Sequence, residues 1–407
     1  MTITEEIMEK NTGRIPEKRE KEFGVGTFIF LIILIGAIAY MASVMGIGPM
    51  FKTLLNTAYS VLIETVLYIC AICVIMGAIS ALLTEFGVVG LAQWLINPIM
   101  KPLYNMPGAA SLGIVTTFLS DNPAILALSQ DAKTRKYFKK YQTPALCNLG
   151  TAFGMGMIVC TFMLGLGTEF IPAVGAGLGG CVVGSIISTR LMQFFTKRYY
   201  VKKGVWEEML EMEELTPSAE QEKQKAQTGE AKKKGLFSRV MDCLLEGGKL
   251  GWQICFATTP GVICICTLVM ILTFGPGTGE DGVAAYTGAA YEGIEILPKL
   301  GDLISPVTKV LFGFQDGSNI VVPITSLGAV GAAIGMIPQM VTNGLVGANE
   351  IAVFTAMGMC WSGYLSTHVS MMDALGRREL IPSALISHTV AGLCAGVAAH
   401  YIFLLVG

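Results

Sequence analysis

The sequence predicts an all-α integral membrane protein with inverted structural repeats, about seven full spans and two broken or re-entrant helical hairpins. Three observations predict this class. The 407 residues are 53% hydrophobic and 14% charged, with a mean hydropathy of +0.60, whereas soluble domains carry about 25% charged residues. Long apolar segments recur along the chain, and a ten-residue motif occurs twice.

The duplicated motif reads LINPIMKPLY at residues 95–104 and LISPVTKVLF at residues 303–312. Leu, Ile, Pro, Lys and Leu recur at matching places. Each copy lies among hydrophobic segments and is followed by a break that contains Gly and Asp. Interrupted helices in a duplicated membrane unit are typical of secondary transporters, because the breaks expose backbone groups that can hold a solute.

Seven segments are apolar and long enough to cross a bilayer, which takes roughly 20 residues. They are residues 24–46, 54–83, 143–167, 170–189, 251–275, 349–372 and 380–406. Two longer stretches, residues 91–130 and 296–342, are interrupted by Pro, Gly, Asp and Asn. Each is either a helical hairpin that enters and leaves on one side or a pair of short spans, and the sequence leaves both open.

The distribution of charge predicts the topology. Basic residues cluster in residues 1–22, 133–140 and 197–239 and at Arg377 and Arg378, whereas residues 276–302 are mainly acidic. With the N-terminus in the cytoplasm and each hairpin returning to its starting side, every basic cluster lies on the cytoplasmic side of a cell membrane. The predicted domains are residues 1–53 (cytoplasmic N-terminus and first span), 54–196 (first repeat), 197–243 (charged cytoplasmic linker) and 244–407 (second, inverted repeat).

Two breaks carry the polar groups predicted to bind a substrate. In the first hairpin an apolar run ends at residues 120–123, whose sequence Ser-Asp-Asn-Pro is typical of a helix start. In the second, residues 313–319 form a similar break, and a softer interruption follows at residues 323–326. The candidate substrate-binding residues are Ser120, Asp121, Asn122, Gln315, Asp316, Ser318 and Asn319. We expect the two breaks to meet near the bilayer midplane, where irregular backbone is tolerated only around a cavity.

The sequence allows two alignments of these breaks. The ten-residue copies align without gaps at a spacing of 208 (306 − 98), which places residues 108–111 against residues 316–319. Pairing Asp121 with Asp316 requires a 13-residue difference in length. The equivalence of the two aspartates is therefore left open.

Four ionisable residues in apolar segments are candidate ion-coupling groups, namely Glu64, Asp121, Asp316 and His368. Such side chains are costly at membrane depth and mark ion pathways. The alternative for each is an interfacial or helix-capping position. No cofactor or metal site is predicted, and Na⁺ or H⁺ is the candidate coupling ion. We interpret the Cys70-x-x-Cys73 spacing as packing inside the second span rather than as a metal or redox site.

Other classes of protein lack support in the sequence. No GK[ST] signature follows a glycine-rich loop, and no HExxH or Ser/His/Asp pattern is present. An enzyme is therefore not predicted. A net charge of −2 gives no general attraction for nucleic acid. The expected partners are a small-molecule solute and the lipid bilayer, with a homo-oligomer as an open option.

Two segments resemble a known family. LINPIMKPLYNMPG at residues 95–108, followed by a Gly- and Ala-rich helix and a polar break, resembles the nucleoside-recognition or Gate domain family of integral membrane proteins. GFQDGSNIVVPITSLG at residues 313–328 resembles its second copy. The family includes spore maturation proteins A and B. It is similar more remotely to concentrative nucleoside transporters, which hold nucleoside and Na⁺ with two hairpins and broken helices.

The sequence thus predicts a secondary transporter of a small polar organic solute, a nucleoside or a carboxylate, coupled to Na⁺ or H⁺. One alternative is a non-transporting assembly or docking protein, related to a spore or envelope complex, that has a Gate fold. A passive channel is the other alternative.

Overall fold

A computed structural model describes residues 24–130, 132–213, 235–279 and 281–407. Within these residues, six helices are long and apolar enough to cross a membrane: Val25–Met45, Ile47–Glu85, Gln142–Gly165, Thr168–Lys203, Leu236–Thr273 and Arg378–Val406. By helix length and hydropathy the chain is a helical, multi-pass membrane protein. The basic N-terminal cluster (1–22) and residues 214–234 of the charged linker lie outside the described residues.

The first half of the chain contains eight principal helices. They are α1 (Val25–Met45), α2 (Ile47–Glu85, with a π-turn at Val61–Val66), α3 (Val88–Ile99, prolonged by a π-turn at Met100–Tyr104), α4 (Ser111–Leu119, after the 3₁₀ turn Gly108–Ala110), α5 (Pro123–Gln130), α6 (Gln142–Thr151), α7 (Gly156–Gly165) and α8 (Ile171–Lys203, after the 3₁₀ turn Thr168–Phe170). Short helices at Ala132–Arg135 and Trp206–Met209 follow α5 and α8.

The second half repeats this order after one long helix and a loop. It contains α9 (Leu236–Thr273), the antiparallel strands β1 (Gly277–Thr278) and β2 (Ala284–Ala285), α10 (Ile296–Phe312), the 3₁₀ turn Gly317–Ile320, α11 (Val321–Ser326), α12 (Val330–Thr342), α13 (Ala348–Cys360), α14 (Tyr364–Ala374), the 3₁₀ turn Arg378–Leu380 and α15 (Ile381–Val406). Gly277 pairs with Ala285 and Thr278 with Ala284.

The structure corrects the predicted span at residues 349–372. This segment forms two helices, α13 and α14, and is not among the six segments that qualify as spans within the described residues. Gly363 interrupts the helix between α13 and α14, because its φ of +61° lies outside the right-handed helical region. Its N–H donates to the Ser326 carbonyl (3.0 Å), outside its own helix. The predicted span at residues 143–167 is kept as the span Gln142–Gly165, although a break at residues 152–155 divides it into α6 and α7.

The two broken stretches each contain an outlying helix followed by a hairpin. α4 and α5 form the first hairpin (residues 108–130), in which a Cβ on Gly113 would lie 2.7 Å from Ile125 Cδ1. α11 and α12 form the second hairpin (residues 317–342) and are in contact. The preceding helices α3 and α10 expose apolar side chains, including Trp94 (70% exposed) and Leu303 (79% exposed). An apolar face of this kind suits a helix that lies against lipid.

Equivalent features recur 208 residues apart. Asn105 and Gly313 follow the two copies of the ten-residue motif, and both are left-handed, with φ of 53° and 71°. Met155 and Gly363 close the α6–α7 and α13–α14 breaks, with φ of 52° and 61°. A non-glycine residue rarely adopts this region, so the agreement identifies equivalent positions in the two halves.

This recurrence decides between the two alignments of the aspartates. The gap-free spacing of 208 pairs Asp121 with Ala329 and Asp316 with Gly108. Asp121 lies between α4 and α5, whereas Asp316 precedes α11. The two aspartates are therefore not equivalent, and the hairpin tips are residues 120–122 and 327–329.

Two pairs of long helices hold the halves together through close backbone contact. On α2 and α9, a Cβ added to Gly251 would lie 2.0 Å from the Cys73 carbonyl oxygen, and one on Gly77 would lie 2.3 Å from the Gly247 oxygen. On α8 and α15, a Cβ on Gly180 would lie 2.5 Å from the Ala395 oxygen. Small residues of this kind allow membrane helices to pack backbone to backbone.

A disulfide also joins α2 to α9. It links Cys70 to Cys255, whose Cα atoms are 5.2 Å apart. The interpretation of Cys70 as a packing residue is therefore wrong, whereas Cys73 is a buried free thiol. The partner lies 185 residues away in the sequence, so the local Cys-x-x-Cys spacing carried no information about it.

Hydrogen bonds fasten the loop between α9 and α10 to the first turns of α2, and a buried carboxylate accepts one of them. Glu292 is buried (2% exposed) and accepts hydrogen bonds from Thr53 Oγ1 (3.2 Å), Thr287 Oγ1 (2.7 Å) and Gly288 N (2.9 Å). Burial has the largest single influence on the pKa of Glu292 and raises it, because a charged group is less stable away from water. The hydrogen bonds from Thr287, Gly288 and Thr53 nevertheless hold the pKa of Glu292 below its usual value.

We expect Glu292→Gln to lower the free energy of unfolding by about 1–2 kcal/mol at neutral pH, because an amide accepts fewer of these hydrogen bonds. A carboxyl group whose pKa is lower in the folded state stabilises the fold above its unfolded pKa of about 4.3. This stabilisation is lost as the pH falls through the lower folded pKa. Thermal unfolding of the purified protein at pH 7 and at pH 3 measures both effects.

The exposed Asp281 lies in the same loop and provides the matched control. Asp281→Asn is expected to change the unfolding temperature little at either pH, since exposed groups contribute little to stability. If Glu292→Gln retained the full pH dependence of the natural protein, the role assigned to Glu292 would be wrong.

Candidate functional site

Four helix interruptions converge around one cavity of about 230 Å³. They are the hairpin tips at residues 120–122 and 327–329 and the breaks at residues 152–155 and 361–363. Each contributes lining residues, including Asp121 and Asn122, Gly328 and Ala329, Met155, and Ser362 and Gly363. Thr258 of α9 completes one wall. The two halves of the chain therefore share a single site.

Asn122 joins the first tip to the α13–α14 break. Its Nδ2 donates to the Ser362 carbonyl (2.6 Å), and the residue is 3% exposed. The α6–α7 break packs against both residues: a Cβ on Gly154 would lie 2.6 Å from Asn122 Oδ1 and 2.8 Å from Ser362 Cβ. Any side chain at position 154 would therefore push these segments apart.

The second tip contacts the same break. The Gly363 N–H donates to the Ser326 carbonyl at the end of α11, and a Cβ on Gly363 would lie 3.2 Å from the Gly328 oxygen. Ser362, Gly363 and Gly328 were not predicted as site residues from the sequence. The spacing of 208 could have identified Gly328, because it carries Ser120 onto that position.

Helix starts and one carboxylate set the electrostatics of the cavity. α5, α12 and α14 begin beside it, and helix N-termini carry partial positive charge. Asp121 is the one ionisable side chain among its lining residues in the described part of the chain. Asp121 Oδ1 accepts a hydrogen bond from the Asn122 N–H (2.7 Å). The cavity can therefore bind both hydrogen-bond donors and acceptors of a solute.

The predicted polar break of the second hairpin lies elsewhere. Asp316 caps the 3₁₀ turn Gly317–Ile320 by accepting a hydrogen bond from the Ser318 N–H (2.8 Å), and Gln315 Nε2 donates to the Gly313 carbonyl (3.0 Å). None of Gln315, Asp316, Ser318 and Asn319 is among the cavity's lining residues in the described chain. The residues that meet Asn122 are those of the second tip and the α13–α14 break. The expected meeting of residues 315–319 with residues 120–122 is therefore wrong, because residues 313–316 lead into the second hairpin and do not form its tip.

Ser120 lines a neighbouring cavity. This cavity has a volume of about 410 Å³ between α2, α9 and the first tip, and Ile158, Glu85 and Glu246 also line it. Asp121, the next residue, lines the central cavity. The first hairpin tip therefore separates the two cavities.

Glu64 and His368 also lie outside the central cavity's lining residues. Glu64 occupies the π-turn of α2 and accepts a hydrogen bond from the Tyr291 hydroxyl (2.8 Å). His368 is fully buried, and its Nδ1 lies 3.1 Å from the Tyr364 carbonyl. Its Nε2 lacks a hydrogen-bond partner within the described residues. Their roles in ion coupling stay predictions.

A buried histidine supports the α13–α14 break and was missed by the sequence analysis. His388 Nε2 hydrogen-bonds to the Cys360 carbonyl, and His388 Nδ1 lies 2.7 Å from Ser188 Oγ. Asn148 Nδ2 donates to Ser188 Oγ (3.1 Å). Because a carbonyl only accepts, Nε2 carries the proton and Nδ1 accepts from Ser188. The network satisfies a carbonyl next to the break, and a histidine inside an apolar helix gives no sequence signal of this role.

The fold and the site define a polytopic helical membrane protein with a solute-sized central cavity. No protein-family model matches the chain, so its resemblance to the Gate family stays a prediction. An uncharacterised protein of Alkalihalophilus pseudofirmus is 22% identical over 300 residues, which cover 72% of this chain. The match covers 62% of that relative's length.

Structures of CNTnw, a concentrative nucleoside transporter, are similar to this chain. One variant in an outward-facing state has a TM-score of 0.48 and 14% identity, covering 94% of this chain and 88% of that chain. An inward-facing, substrate-bound state has a TM-score of 0.49 and 13% identity with the same coverage. CNTnw is a transporter and not an enzyme.

Proposed function

We propose that this protein is a secondary transporter of a small polar organic solute, and that the central cavity binds the solute. The convergence of four helix interruptions carries the proposal. Irregular backbone at membrane depth is tolerated where it lines a cavity, and carriers use such breaks to hold solutes and ions. Na⁺ or H⁺ is the proposed coupling ion. A nucleoside is the substrate that the sequence resemblance implies, with a carboxylate as the alternative.

The proposed topology consists of two inverted repeats, residues 54–196 and 244–407, with re-entrant hairpins. The recurrence at 208 residues supports the duplication. The N-terminus and the linker 197–243 are proposed to be cytoplasmic. Two ion pairs support placing the linker on the same side as residues 133–140 and the end of α2. Lys140 pairs with Glu211 of the linker (2.8 Å), and Arg239 of the linker pairs with Glu85 (2.7 Å).

Uptake into proteoliposomes tests the proposal. A panel of uridine, succinate and L-valine is assayed with an imposed Na⁺ gradient, an imposed proton gradient, and neither. We expect one of these solutes to accumulate only when a gradient is present. Asp121→Asn is expected to reduce this uptake at least about tenfold, which corresponds to the loss of about 1.4 kcal/mol of binding.

Asp316→Asn is the matched control, because asparagine also caps a helix start and position 316 is away from the cavity. Its uptake is expected to equal that of the natural protein. Solute flux that does not depend on the Na⁺ gradient or on the proton gradient would indicate a passive channel. A folded protein that moves none of the solutes would favour the docking alternative.

A further inference from the structure

We infer that the central cavity selects a zwitterionic solute, with an ammonium group at the first hairpin tip and a carboxylate at the second. This inference rests on the proposed transport function and names its substrate class. It departs from a nucleoside and from a simple carboxylate. The two equivalent tips present opposite chemistry to the cavity.

The first tip supplies hydrogen-bond acceptors. Asp121 lines the cavity, and its carboxylate receives one hydrogen bond, from the neighbouring Asn122 N–H. In the described residues no basic side chain lines the cavity to pair with this carboxylate. An ammonium group, with three N–H donors, would hydrogen-bond to the carboxylate and balance its charge.

The second tip supplies hydrogen-bond donors. α12 has 13 residues and begins at Val330 without a side-chain cap. Within the described residues no hydrogen bond engages the N–H groups of Val330 and Gly331, and Val330 is 2% exposed. A buried, uncapped helix start is unfavourable until an acceptor arrives. Its free N–H groups and partial positive charge favour a carboxylate.

The difference between the tips follows from three successive differences between the repeats. At the spacing of 208, Asp121, Asn122 and Pro123 are equivalent to Ala329, Val330 and Gly331. At the first tip the Asp121 side chain accepts from the Asn122 N–H, and Pro123 has no N–H. At the second tip Ala329 has no side chain that can accept a hydrogen bond, and Val330 and Gly331 both have an N–H group. A bare anion would meet the Asp121 carboxylate, and a bare cation would leave the α12 N–H groups unpaired.

The lining residues and the volume of the cavity also disfavour a nucleoside. In the described part of the chain, no aromatic side chain is among its lining residues, so a base has no ring to stack on. Its volume of about 230 Å³ is below the roughly 300–1,000 Å³ of typical ligand pockets. No lysine or arginine lines it in those residues, so a carboxylate alone has no cationic side chain to pair with.

The test compares one zwitterion with its two halves. L-valine, isobutylamine (valine without its carboxylate), 3-methylbutanoate (valine without its ammonium group) and uridine are titrated into the full-length purified protein. Binding is read from the rise in unfolding temperature, because a ligand that binds only the folded state raises it. We expect L-valine to bind at least about tenfold more tightly than either half, since tenfold corresponds to about 1.4 kcal/mol.

Two variants test the ammonium site at the first tip and the carboxylate site at the second tip separately. Asp121→Asn is expected to weaken the binding of L-valine and isobutylamine at least about tenfold. It is not expected to weaken the binding of 3-methylbutanoate, which no longer meets a carboxylate. Val330→Pro removes one N–H from the start of α12, where proline is favoured. Ala329 is extended (φ −159°, ψ 110°), as a residue before proline must be. Val330→Pro is expected to weaken the binding of L-valine and 3-methylbutanoate and to leave the binding of isobutylamine unchanged.

Ala348→Pro makes the same change at the start of α13, after an extended Gly347 (φ −113°, ψ −167°), and is expected to leave L-valine binding unchanged. If Val330→Pro bound L-valine normally, the inference would be wrong. If uridine bound in an Asp121-dependent manner and L-valine did not, the inference would fall while the proposed transport function stood. If no solute of the panel bound and none accumulated in proteoliposomes, both would fall.

Discussion

Gly251→Ala is expected to lower the free energy of unfolding by about 3 kcal/mol, the upper end of the usual range for overpacking. The added Cβ would lie 2.0 Å from the Cys73 carbonyl oxygen and 2.5 Å from its carbon. Both are backbone atoms, so no flexible side chain can move aside. α2 and α9 would have to separate where they cross. Thermal unfolding of the purified protein measures the loss.

Gly261→Ala is the matched control on the same helix, because nothing lies within 4 Å of the Cβ that it adds. Alanine favours a helix over glycine by about 1 kcal/mol, so this variant should be as stable as the natural protein or slightly more so. The Cys70–Cys255 bond gives a second measurement. With dithiothreitol as the reductant and iodoacetamide as the alkylating agent, this disulfide should be reduced and its two thiols alkylated faster in Gly251→Ala than in Gly261→Ala. Equal unfolding temperatures for the two variants would show that the crossing tolerates a side chain.

The membrane class, the duplication and the first hairpin tip could be predicted from the sequence because each has a local signal. Apolar segments of sufficient length indicate helices in a bilayer. The sequence Ser-Asp-Asn-Pro at residues 120–123 has the capping residues and the proline of a helix start, and α5 does begin at Pro123. The spacing of 208 came from the ten-residue motif and extends through the later elements.

The second tip could not be predicted in the same way, because it has no polar signature. The sequence drew attention to Pro323, yet that residue lies in the first turn of α11, where a missing N–H does not break a helix. The helix continues to Ser326, and the interruption falls at residues 327–329. Gly328 and Ala329, the residues of this tip that line the cavity, have no polar side chain that could mark it in the sequence.

Asp316 was misplaced for a related physical reason. A polar residue after glycine indicates a break in a helix, but the same pattern occurs where a chain enters a hairpin and where it turns at the tip. Asp316 fulfils its hydrogen-bonding requirement by capping a 3₁₀ turn, whereas Asp121 lies at a tip. The tertiary contact between Asn122 and Ser362 identifies the tip, and 240 residues separate these partners in the sequence.

Gly154→Ala is expected to impair solute binding and uptake roughly ten- to a hundredfold, the equivalent of about 1–3 kcal/mol of overpacking. The new Cβ would lie 2.6 Å from Asn122 Oδ1 and 2.8 Å from Ser362 Cβ. It would push the first tip away from the α13–α14 break and open the hydrogen bond from Asn122 to the Ser362 carbonyl (2.6 Å). Uptake into proteoliposomes and ligand-induced shifts in unfolding temperature measure the effect.

Gly175→Ala on α8, where a Cβ meets nothing within 4 Å, is expected to leave uptake unchanged. A second substitution separates loss of the site from general instability. Ser362→Gly removes the side-chain atoms that the new Cβ would contact but keeps the carbonyl that accepts from Asn122. The double variant Gly154→Ala with Ser362→Gly should therefore recover part of the uptake lost in Gly154→Ala, an interaction that a double-mutant cycle quantifies. Additive losses would mean that the three segments do not act as one site.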